Sequence, residues 1–169
     1  MAKPTYQQRA APKVVKAGVI VPIQDVSMAE ASGWRELDIE RVQELKTTFL
    51  QGEYGQNVLR KPALLQAHGG PKNDSEGRRL LADGKHTFCA LAELQALYQS
   101  SEGSNHEWSE ALVEALTLGV DVQVVEFVDD DPDLVVAWAV SAHDESTNKF
   151  KATALRDMVK LVNRYKAKV

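Results

Sequence analysis
Apolar residues recur along the chain with two different periods, and each change of period marks an element. Val14 to Val21 reads as a first strand, closed by Pro22, which has no amide to give to a sheet. Residues 24 to 36 show no clean period. At Leu37 the spacing becomes helical: Asp38 suits the N-cap, Glu40 lies in the first turn, and Ile39, Val42, Leu45 and Phe49 share one face before Gly52. Pro62 to Gln66 is a short apolar run, and HGGPKNDSEG after it suits the tip of a hairpin whose return strand is Arg79 to Ala82. That strand stops at Asp83-Gly84 and a helical pattern begins at once, burying Ala90, Leu91, Leu94 and Leu97 or Tyr98. Beyond the polar break SSEGSNHEWSE, an apolar helix capped by Ser109 ends near Leu118-Gly119. Val120, Val122 and Val124 then alternate with Asp121 and Gln123 as a strand does. Asp130, Asp131 and Pro132 open a helix with apolar residues from Leu134 to Val140, HDESTN forms a polar joint, and a last helix from near Thr153 buries Leu155, Met158, Val159 and Val162.

The alternation of strands and helices, with no repeat and no dividing linker, predicts a single α/β (α+β) domain over residues 14–169, a small mixed sheet with flanking helices. Residues 1–13 read as a mobile arm. A chain of 169 residues with a hydrophobic share of 44% can bury the core of one such domain. No segment approaches the roughly 20 apolar residues of a membrane-spanning helix, and the N-terminus lacks the apolar block of a secretory signal. The expected setting is therefore intracellular, cytoplasmic or nuclear, with no membrane partner. Lys3, Arg9, Lys13 and Lys16 come with no acid among residues 1–16, as in an organellar leader, but with one Arg and little Ser such a leader is not the expected reading. Cys89 is the only cysteine, so no internal disulfide and no multi-cysteine zinc site is available. Set among Phe88, Ala90 and Leu91, it reads as a small apolar core residue.

The net charge of -4 conceals an uneven distribution. Of the 20 basic and 24 acidic residues, four basic ones lie in 1–16, and seven basic ones and Asp157 lie in 149–169; nine basic and 23 acidic remain between, a balance of -14. An acidic body argues against a broad nucleic-acid surface. Arg156, Lys160, Arg164 and Lys168 recur every four residues as a stripe on the last helix. The stripe either pairs with the acidic body or offers a weak, salt-sensitive contact to nucleic acid or another acidic partner.

Chemistry concentrates at Asp83-Gly84-Lys85-His86-Thr87. The first amides of a helix have no internal partner and sit at the positive end of its dipole, so a glycine-bounded turn beside Lys85 and His86 suits a phosphate. The stretch RRLLADGKHTFCALAELQAL resembles the Gly-x-x-Arg box of the ParB and sulfiredoxin-like superfamily, and Asp83 to His86 matches its Asp-Gly-x-His variant. The segment from Val120 to Met158 is similar to the family's strand, acidic turn and helix leading to a Glu-Asn-x-x-Arg motif, with Glu145, Ser146 and Lys149 on the Glu, Asn and Arg. The resemblance runs from about Val14 to Leu161 and implies a ParB N-terminal-like domain. Such a domain would bind a nucleotide (CTP, ATP or ADP) with Mg²⁺ between the Asp83 to Thr87 turn and the Glu145 to Lys149 joint.

Under that resemblance Gly84 lets the backbone approach phosphate, Lys85 and Lys149 neutralise charge, and Thr87 and Ser146 line the pocket. His86 positions or protonates an oxygen, and Asp83 or Glu145 holds magnesium or acts as a base. Each residue also has a plainer reading: Asp83 as a helix cap, His86 as a surface residue of a first turn, Glu145 as a solvated joint residue. Thr87 and Lys149 stand where the family has arginines, which removes the planar fork that grips phosphate. Lys85 stands where sulfiredoxins carry their cysteine, so sulfinic-acid repair is not expected. No helix-turn-helix follows, so sequence-specific DNA reading of the ParB kind is not expected either. Three functions remain open: a phosphate-binding domain with phosphoryl-transfer or hydrolytic activity, a non-catalytic interaction module that kept the fold, and a ParB-like nuclease.

Overall fold
Val120, Val122 and Val124 join one buried cluster while Val125 and Phe127 join another, which is the signature of a strand inside a sheet that is buried on both faces. A computed structural model describes residues 12–30, 37–55, 61–67, 70–71 and 73–127. The strands are β1 (Lys13–Val21), β2 (Val26–Glu30), β3 (Ala63–Ala67), β4 (Gly70–Pro71), β5 (Arg79–Asp83) and β6 (Val120–Glu126). The helices are α1 (Ile39–Thr48), prolonged by a wider turn over Phe49–Glu53, α2 (Lys85–Gln99) and α3 (Glu110–Thr117). The sheet runs β1-β6-β3-β5-β2, with β4 folded back on β3. β6/β3 and β5/β2 are parallel and the other pairs antiparallel, so the fold is α+β with a mixed sheet.

One face of the sheet carries the helices. Leu64, Leu81, Val122 and Val124 pack with Phe88, Leu91 and Leu94 of α2, with Val42, Leu45 and Phe49 of the α1 region, and with Leu112 and Leu116 of α3. Each such side chain contributes roughly 1.5–3 kcal/mol on leaving water. The caps follow the sequence: Asp38 Oδ1 accepts the Arg41 N–H and Ser109 Oγ accepts the Leu112 N–H. Trp108 anchors a loop, donating its indole N–H to the Gly103 carbonyl at 2.7 Å and meeting Tyr98 edge to face.

Three expectations are corrected. Ile39 is 68% exposed, because α1 reaches the core only from Val42 onward. The aperiodic stretch after Pro22 contains β2, which pairs with β5 through Val26↔Arg79 and Glu30↔Leu81. Val26 and Ser27 are both buried, so the alternation that would have revealed this strand is missing. The buried face of α2 also begins earlier, at His86 and Phe88. The arm up to residue 11, the helix expected near 132–140 and the last helix with its basic stripe lie outside the described residues. Among the described residues no helix is long and apolar enough to cross a membrane.

Candidate phosphate-binding turn
The candidate turn begins with an irregularity in the sheet. Leu64 opposes Leu81 and Ala63 opposes Asp83, so Ala82 is the extra residue of a β-bulge at the end of β5. Ala82 joins Ala63 in the second buried cluster, and Asp83 is left only 8% exposed. Its Oδ1 accepts the Gly84 N–H at 3.0 Å, a bond that holds the turn itself. Gly84, not Asp83, occupies the N-cap of α2.

Gly84 has φ 107°, in the region that disfavours side chains, and its neighbour leaves no room for one. A Cβ there would stand 2.6 Å from Pro62 Cβ and 3.0 Å from Pro62 Cα. Pro62 is pinned in turn, since its carbonyl accepts the Gln123 N–H at 3.1 Å. The fold alone therefore demands glycine at 84, through contact with the start of β3.

The N-terminus of α2 receives no hydrogen bond from a capping side chain, and its first turn closes through the Phe88 N–H on the Gly84 carbonyl. Lys85 and Thr87 are half-buried in this turn. His86 is 7% exposed, and its Nε2 accepts the backbone N–H of Asp38 at 3.0 Å. An accepting Nε2 belongs to a neutral ring with its proton on Nδ1. The imidazole thus ties the start of α2 to the N-cap of α1, across 48 residues of sequence.

Two further groups come to this end of the sheet without having been singled out in the sequence. Lys61 immediately precedes the Pro62 that contacts Gly84, and its Nζ lies 2.8 Å from Asp121 Oδ2. Asp121 Oδ1 is buried without a hydrogen-bond partner among the described residues. The Tyr54 phenol is pushed above its ordinary value, by burial first and by the Asp121 carboxylate second. The periodicity shows Lys61 only as a charge before a strand; pairing of β3 with β6 brings it beside Asp121.

Asp83, Gly84, Lys85, His86 and Thr87 therefore form one turn, while Glu145, Ser146 and Lys149 lie outside the described residues. The Asp83 carboxylate accepts the Gly84 N–H, and among the described residues no group of three or more His, Cys, Asp or Glu could hold a metal ion. What the turn offers chemically is a helix dipole, a first-turn lysine and polar backbone at the carboxyl end of a strand. Cys89 lies half-buried against the core, one turn further along α2. Comparison with protein-family models, with curated proteins and with solved structures finds no match to this chain.

Proposed function
We propose that the domain binds a phosphate-bearing ligand, with a nucleotide as the expected class, at the Asp83 to Thr87 turn, and that it acts by binding rather than by turnover. The observation that carries this reading is the start of α2: a fifteen-residue helix, uncapped by any side chain, with Lys85 in its first turn at the carboxyl end of β5. Ligands of open α/β sheets collect at such strand ends, where amides and dipole together favour an anion. The likeness of the turn to the ParB and sulfiredoxin-like box supports the same ligand class. His86 favours binding over catalysis, because its Nε2 already serves the Asp38 amide. In this reading Lys85 meets the phosphate, Thr87 offers a hydroxyl, Asp83 holds the turn, and His86 positions the helix start. Magnesium would arrive with the nucleotide, and Asp83 is the described carboxylate that could meet it.

A thermal-shift series with CTP, ATP and ADP, each with and without magnesium, tests the reading. A ligand at a hundred times its Kd stabilises by about 2.7 kcal/mol, which raises Tm by several degrees. Lys85→Glu should abolish the rise while leaving the unliganded Tm within about 2 °C. Phosphate release should stay at background. An unchanged Tm with every nucleotide at millimolar concentration overturns the proposal.

A further inference from the structure
We infer that His86 is a proton-sensitive joint between α1 and α2: the neutral imidazole holds the start of α1 in place, and its protonation releases it. The inference stands on the bond from the Asp38 N–H to His86 Nε2 and on the burial of the ring, and it does not depend on the phosphate reading. The backbone amide can only donate, so Nε2 must present a lone pair. A second proton on the ring places N–H against N–H, and the bond is lost. Proton uptake and the joint therefore exclude each other.

Asp38 is tied at its amide to His86, at its Oδ1 to the Arg41 N–H and at its carbonyl to the Val42 N–H. An imidazolium formed there carries two N–H donors and keeps no lone pair for the amide. Protonation thus breaks the bond that ties the N-cap residue of α1 to α2. Among the described residues, charged groups close to the joint in sequence are Asp38, Glu40 and Arg41 at the start of α1, Lys85 in the first turn of α2, and Asp83 at the end of β5. Lys85, Arg41 and the positive end of α2 oppose the imidazolium, while the three carboxylates favour it. The joint contributes its stability while the ring is neutral and loses it as the ring takes up a second proton.

The test is residue-resolved hydrogen exchange of the Asp38 amide at pH 7.5 and 5.5, corrected for intrinsic rates, together with ¹⁵N spectra of the His86 ring. Wild type should show an Nδ1–H ring and a protected amide at pH 7.5. At pH 5.5 protection should drop about tenfold, the share of one hydrogen bond, with the same midpoint as ring titration. His86→Gln has an accepting oxygen and no titration, so its Asp38 protection should not change between the two pH values. Equal loss in wild type and His86→Gln overturns the inference. If that variant does not fold, wild type alone decides: an imidazolium with the Asp38 amide still protected, or a ring that stays neutral at pH 5.5, overturns it.

Discussion
Gly84→Ala should destabilise the protein by several kcal/mol even if no ligand ever binds the turn. Two independent costs meet at this position. The backbone sits at φ 107°, where an L side chain costs about 1–2 kcal/mol. The added methyl would fall 2.6 Å from Pro62 Cβ and 3.0 Å from Pro62 Cα, and forcing such a contact costs about 1–3 kcal/mol more. The sum is about 2–5 kcal/mol, or a fall in Tm of about 10 °C for a chain of this size. Urea unfolding gives the free energy, and a double-mutant cycle with Pro62→Gly separates the two costs. Removing the proline ring clears Cβ and Cγ but not the backbone strain, so the pair should recover about 1–2 kcal/mol relative to additivity. A Gly84→Ala cost under 1 kcal/mol, or full additivity with Pro62→Gly, would refute the packing argument. The outcome matters for function, because a glycine required by Pro62 is no evidence for a phosphate.

Tyr54 provides a pH test. Its phenol is raised by burial and then by Asp121, so the folded state keeps the proton longer than the unfolded chain does. That stability is intact below pH ~10 and is lost as pH rises through the ordinary tyrosine value toward the raised one. Tyr54→Phe should therefore lose less Tm than wild type between pH 9 and about 11.5; parallel curves would contradict the assignment. Thr87→Arg should tighten nucleotide binding about tenfold by adding one charge-assisted bond, as isothermal titration would show. No gain in a folded variant would mean that position 87 does not face the ligand.

Where each side chain's fate is decided by its own neighbours in sequence, the fold was readable. Asp38 and Ser109 cap helices as their types and places suggested, and the alternation through Val120, Val122 and Val124 is a strand. Pro62 to Gln66 and Arg79 to Ala82 pair antiparallel as the hairpin reading expected, with the short β4 inserted between them. Features set by distant partners were not readable. β2 is a strand because β5 lies beside it, and burial of successive residues erased its period. His86 was legible as a first-turn histidine, but its bond to an amide 48 residues earlier leaves no local trace. The same holds for Pro62 against Gly84, where the glycine signals a turn and says nothing of the ring that fills the space. The turn from Asp83 to Thr87 was visible as a unit because strand, glycine and helix follow one another directly.

The most direct test of phosphate binding at α2 is a ¹H–¹⁵N titration of the folded protein with CTP, ATP or ADP in the presence of magnesium. The account predicts saturable shifts for the amides of Gly84, Lys85, His86 and Thr87, larger than those elsewhere on α2 and much reduced in Lys85→Glu. Amides at Gly84 to Thr87 that stay unmoved at millimolar nucleotide, in a protein whose spectrum is otherwise native, would contradict it.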